Sequence, residues 1–142
     1  MKIANILSAK GMNVFTVAPN QLLREAIHLL VQHNVGALVV AEKSDKPIGI
    51  ITERDVVRAA AGNENFFAVR VGDVMTKDVI TAAPEDDVKS VGQTMTTRRF
   101  RHMPILDRGK MVGIISIGDV LKAQLEEYEG LIETLNAQIA PG

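Results

Sequence analysis

The run GIITERD at residues 49–55 is written a second time as GIISIGD at residues 113–119. In both, a short apolar stretch ends in a hydroxyl residue, Thr52 or Ser116, with an aspartate three positions on, Asp55 or Asp119. The duplication reaches much further. VFTVAP at 14–19 is matched by VITAAP at 79–84, GALVV at 36–40 by HMPIL at 102–106, and the lead-in KIANIL at 2–7 by RVGDVM at 70–75. A unit of roughly 60 residues that recurs in this way is one supersecondary motif. It is too small to cover both faces of its own sheet, so the two copies have to pack together.

Within each copy the apolar pattern predicts short helix, strand, helix, strand, strand, helix. The first long helix, NQLLREAIHLLVQHN, carries Leu22, Leu23, Ala26, Ile27, Leu30 and Val31 as one broad face. Its partner, EDDVKSVGQTMTTRR, keeps Val88, Val91 and Met95 at helical spacing. The closing strand pairs are joined by charged turns, EKSDKP and DRGK. The expected fold class is therefore α/β (α+β): two repeats, each a small three-stranded sheet with flanking helices, related by a pseudo-twofold axis. The expected division is residues 1–62, a linker at 63–69, residues 70–125, and a C-terminal helix and tail at 126–142. Phe66 and Phe67 are placed to tie the linker down. A helix over 119–139 would present Leu121, Leu125, Leu131, Leu135 and Ile139 as an apolar stripe, facing inward or a second subunit.

Composition narrows the function. Hydrophobic residues make up 46% of the chain but aromatics only 4%, so the core is aliphatic. A formal net charge of -1 gives no broad attraction to nucleic acid or an anionic membrane. No stretch approaches the roughly 18 apolar residues of a membrane span, and no signal-peptide core is visible. Cysteine is absent, which removes disulfides and thiolate chemistry. A cytoplasmic protein is the expectation. His28, His33 and His102 lack ligand spacing, and Glu85, Asp86 and Asp87 sit where a helix start favours acids, so no metal is predicted. There is no P-loop, no dinucleotide fingerprint and no nucleophile with a base. The chain reads as non-catalytic.

The hydroxyl–aspartate pair has two readings. Thr52 with Asp55, and Ser116 with Asp119, have the form of a capping box at a helix start. The same helix start offers free N–H groups and a positive dipole end to a phosphate, with a carboxylate one turn away to accept from ribose hydroxyls. The cluster RRFRH at 98–102 is similarly divided. Arg98 and Arg99 suit a solvated helix end, whereas Arg101 and His102 lie against the strand, where phosphate contact is favoured. Glu53 and Arg54 read as solvated.

Taken together, DVM at 73–75, VITAAP, RHMPILD at 101–107, GIITERD and GIISIGD resemble a tandem pair of cystathionine beta-synthase (CBS) domains, or Bateman module, of the stand-alone type. The resemblance runs from about Lys2 to about Leu125. It implies a regulatory or sensor module that binds an adenosine nucleotide (AMP, ADP, ATP or NAD) in clefts between the repeats. It implies a homodimer and a regulated enzyme or transporter as partners, with no nucleic acid and no membrane insertion. By family pattern, Asp55 and Asp119 would hold ribose, Thr52 and Ser116 would meet phosphate, Thr16 and Thr81 would lie near the base, and Arg101 and His102 would neutralise phosphate. NVGALVV in the first repeat has Val35 and Gly36 in place of that basic pair, so the two clefts are expected to differ. The competing expectation is a ligand-independent structural or interaction homodimer in which the pairs only cap helices.

Overall fold

A computed structural model describes residues 1–43 and 46–139. Part of the turn EKSDKP and the last three residues of the tail lie outside the described residues. In the first repeat, β1 (Thr16–Val17) runs parallel to β2 (Ala37–Val40), and β2 pairs antiparallel with β3 (Gly49–Thr52). Every residue of β2 is buried, as befits a central strand covered on both faces. The second repeat pairs β4 (His102–Asp107) antiparallel with β5 (Lys110–Ser116), around a turn whose Arg108 and Gly109 both have positive φ.

The fold class holds, with one local difference. The third strand of the second sheet is reduced to a single parallel bridge, Ala82 to Ile105. The cause is a proline. In the first sheet the Val39 N–H donates to the Phe15 carbonyl at 3.1 Å and the Ala41 N–H to that of Val17 at 3.0 Å. The second sheet keeps the counterpart of the latter, Leu106 N–H to Ala82 carbonyl at 2.8 Å. The residue matching Val39 is Pro104, which has no N–H to give, so the ladder stops there.

Four long helices flank the sheets: α2 (Leu23–His33), α3 (Glu53–Gly62), α5 (Val88–Arg98) and α6 (Ile117–Ile139). Two lead-in helices, α1 (Ile3–Lys10) and α4 (Val71–Val74), cross over. Ile3, Ile6 and Leu7 of α1 are buried among Val88, Met95 and Met103 of the second repeat. Val71 of α4 is buried among Leu23, Leu38 and Ile51 of the first. Backbone bridges pin both crossings, Lys2 to Asp87 and Leu22 to Arg70. Each aliphatic core is therefore completed by the other repeat, which is how two units too small to stand alone make one body.

Some helical faces fall differently from expectation. Leu23, Ala26 and Leu30 of α2 are buried, but Val31, one residue round the helix from Leu30, falls off that stripe and is exposed. Phe66, in a short 3-10 turn at Phe66–Ala68, packs on the first core, whereas Phe67 is exposed. On α6 only Val120 and Ala123 are buried. Leu121, Leu125, Leu131, Leu135 and Ile139 all face outward, as do Tyr128 and Ile132.

Candidate functional site

The strand register fixes which residues of the two repeats correspond. Ala37 faces Thr52 and His102 faces Ser116, so Ala37 matches His102 and Gly36 matches Arg101. The backbone agrees: Glu53 N–H donates to the Gly36 carbonyl and Ile117 N–H to that of Arg101. This moves the expected equivalence of Val35 and Gly36 by one residue. Asn34 and Arg99, the helix C-caps just before, are both left-handed, with φ of 52° and 60°. Where the second repeat has Arg98, Arg99, Arg101 and His102, the first therefore has His33, Asn34, Gly36 and Ala37.

Two clefts result. The first, about 580 Å³, lies between the start of α3 and the end of α5. Thr52 and Asp55 come from one repeat, and Arg98, Arg99, Arg101 and His102 from the other. Arg54 and Arg58 of α3 also line it, as do Asp78 and Thr76. Glu53 and Arg54, expected in solvent, are both exposed, yet both line this cleft. Arg98 and Arg99 do terminate a helix, as expected, but the helix end itself points into the cleft. Two arginines at i and i+4 on α3 were the available signal for Arg54 and Arg58.

Asp55 is 8% exposed and is the sole buried charged residue among the described residues. Its Oδ2 accepts from the Thr52 N–H at 2.9 Å and from the Thr52 hydroxyl at 3.0 Å. The Asp55 N–H donates to Thr52 Oγ1 at 3.3 Å, which completes a capping box. Among the described residues its Oδ1 accepts only from the Thr76 hydroxyl, at 3.2 Å. A rotatable hydroxyl is a partner that another hydrogen-bond donor can replace.

The second cleft, about 310 Å³, is lined by Lys10, Phe15, Val35, Gly36, His102 and Ser116, among others. Ser116 and Asp119 repeat the box: Ser116 N–H donates to Asp119 Oδ2 at 2.8 Å, and Asp119 N–H to Ser116 Oγ at 3.1 Å. Here the further partner is an ammonium. Lys10 Nζ donates to Asp119 Oδ2 at 2.7 Å. Burial alone would raise the Asp119 carboxyl, but the hydrogen bond from Lys10, those from Ser116 and the lysine charge together hold it below the usual carboxylate value.

Gly36 and His102 stand between the clefts and line both. A Cβ on Gly36 would sit 3.2 Å from His102 Nε2, so the close approach of strand and imidazole favours glycine. Burial pushes the His102 imidazole below its ordinary value, and the nearby Glu53 carboxylate only partly offsets this. Thr16 and Thr81 are exposed and lie beside the clefts rather than in them; their neighbours Phe15 and Ile80 form the walls. No group of three or more potential metal ligands occurs among the described residues.

The CBS-domain family model matches this chain twice, at residues 5–62 and 71–126. The chain belongs to the CBS-domain family. A mitochondrial CBS domain-containing protein of Arabidopsis thaliana is 35% identical, over 99% of this chain and 72% of the relative. The crystal structure of a CBS-domain containing protein from Agrobacterium tumefaciens superposes with a TM-score of 0.84 at 38% identity, covering 87% of this chain and 99% of that one. A CBS domain pair solved in complex with methylthioadenosine and S-adenosyl-L-methionine superposes with a TM-score of 0.80 at 26% identity, covering 89% and 98%. No helix among the described residues is long and apolar enough to cross a membrane.

Proposed function

We propose that this CBS pair is a non-catalytic adenosine-nucleotide sensor whose principal site is the larger cleft. The observation that carries this reading is the meeting of Thr52 and Asp55 of one repeat with Arg98, Arg99, Arg101 and His102 of the other. The buried Asp55 would accept from the ribose hydroxyls. The Thr52 hydroxyl and the Arg54 N–H at the start of α3 would take a phosphate, with the guanidinium groups across the cleft neutralising it. The complex of a similar CBS pair with two adenosine compounds supports the ligand class. AMP, ADP, ATP and NAD are the candidates. Because both repeats build the cleft, a bound nucleotide would fix their relative position and signal to a regulated enzyme or transporter. The outward stripe of α6 supports a homodimer.

One observation favours a second reading, a structural homodimer without a ligand: Thr52 and Asp55 already satisfy each other as a capping box. Calorimetric titration of the protein, stripped of co-purified nucleotide, separates the two. Saturable heat with AMP, ADP, ATP or NAD and none with GMP is expected. No saturable heat with any adenosine compound would leave only the structural reading.

A further inference from the structure

The two clefts differ at the group that meets the aspartate: Asp55 lines the first, whereas in the second Lys10 and Ser116 line the cleft and Asp119, bonded to both, does not. In the first, Thr76 does two things: its N–H donates to the Ile50 carbonyl at 2.9 Å, and its hydroxyl meets Asp55. Ile114 and Asp119 are the matching groups of the second repeat, by strand register and by the repeated motif. There Lys10 does both. Its ammonium donates to the Ile114 carbonyl at 2.9 Å and to Asp119 at 2.7 Å. A single side chain from the last turn of α1, carried across by the lead-in crossing, thus meets both groups, on the aspartate at Oδ2, the oxygen that also takes the Ser116 N–H, whereas the Thr76 hydroxyl lies nearer Asp55 Oδ1.

This difference changes what the cleft can hold. A hydroxyl can rotate away from a carboxylate and leave it free for a ribose diol. The Lys10 ammonium has to break its contacts with both a carboxylate and a carbonyl to move away, and while it stays its charge offsets that of the carboxylate a ribose would need. Among the described residues no carboxylate lines this cleft, so no second anion there competes with Asp119 for the Lys10 ammonium.

We propose that Lys10 is a built-in competitor for the second cleft: it occupies the ribose-accepting aspartate, so that each chain takes one nucleoside rather than two. This rests on the reading of Asp55 and Asp119 as ribose acceptors. Uncharged adenosine is the probe, because it tests the ribose contact without phosphate.

The full chain should be titrated calorimetrically with adenosine as wild type, Lys10→Gln, Lys10→Met and Lys10→Arg. Wild type and Lys10→Arg are expected to saturate at one adenosine per chain, and the two neutral variants at two. A charge-assisted contact corresponds to roughly tenfold to a hundredfold in affinity, which sets the expected tightening of the second site. Adding Asp119→Asn to Lys10→Gln should remove that site again. Lys10→Arg keeps the cation and tests the idea even if a neutral variant folds poorly, since two sites in it would contradict the competitor role. One site in the folded neutral variants, or two of unchanged affinity in wild type, overturns the role of Lys10 and leaves the sensor reading intact. No adenosine bound by any variant overturns both.

Discussion

At the residue scale, the larger cleft assigns different work to its carboxylate and its cations, and substitutions should separate them. Asp55→Ala removes the ribose acceptor and should weaken adenosine, AMP and ATP alike. Arg101→Ala should weaken ATP by roughly tenfold to a hundredfold, the worth of a charge-assisted hydrogen bond of about 1.5–3 kcal/mol, and leave adenosine almost unchanged. Asp55 also caps α3, so its loss should lower stability by about 1 kcal/mol, visible in melts without ligand. Comparable losses for adenosine and ATP in Arg101→Ala would remove the phosphate assignment. His102 adds a pH signature. Partly buried in the free protein, it titrates below the unfolded value of about 6.5, so the unfolded chain binds more protons between the two values. Its contribution to stability is full above about pH 6.5 and declines as pH falls through that window. A phosphate beside the imidazole reverses the preference by raising its pKa. ATP affinity should therefore strengthen between about pH 8 and about pH 6, with proton uptake detectable by calorimetry in buffers of different ionisation enthalpy, while adenosine shows no such gain. An ATP affinity flat across that range would place the phosphate away from His102.

At the element scale, the repeat made most of the architecture readable, because strand and helix periods recur at matching positions and each copy checks the other. The hydroxyl–aspartate pairs were legible for the same reason. What stayed hidden depends on contacts between copies. Arg54 and Arg98 each look like solvated helical arginines in their own segment; only the placing of α3 and the end of α5 on the same cleft makes them its walls. Lys10 is invisible as a partner of Asp119 until α1 is seen to cross. Pro104 was legible as a residue, but its cost to the third strand follows only from the register. The crossing of α1 makes a prediction of its own. Ile3 is fully buried in the second repeat's core, so Ile3→Ala should destabilise by about 2–5 kcal/mol in chemical denaturation. Amide exchange should rise first around Met95, Met103 and Ile115, which share that core, and less around Leu38 and Ile51, which do not. Uniform loosening of both cores, or loosening of the first alone, would mean that the crossing does not couple α1 to the second repeat.

At the scale of the whole molecule, α6 is longer than one chain can use. Its buried residues, Val120 and Ala123, lie in its first two turns, yet the helix continues to Ile139. Beyond Ala123 the helix buries no residue, and its length is little above the roughly 12–15 residues below which a lone helix is marginal in water, while Gly130 weakens it further. The residues it exposes are ordered. Leu121, Leu125, Tyr128, Ile132, Leu135 and Ile139 are separated by alternating steps of four and three, a coiled-coil seam rather than scattered surface hydrophobes. Reading Leu131 into the stripe, as the sequence pattern first suggests, breaks this alternation; Tyr128 and Ile132 restore it. A second copy of the same helix would cover such a seam and account for the length of α6, and a closed twofold dimer is the commonest way for identical chains to do so. Light scattering after size exclusion should therefore give twice the mass of one chain. Leu125→Glu combined with Ile132→Glu puts four carboxylates into the seam of a dimer. It should return the single-chain mass and lower the far-ultraviolet helical signal, because α6 frays once uncovered. The clefts lie away from α6 beyond its first turn, so the double variant should still bind an adenosine nucleotide if wild type does. A wild-type mass equal to one chain at all concentrations, with the helical signal unchanged in the double variant, would show that α6 holds its length without a partner.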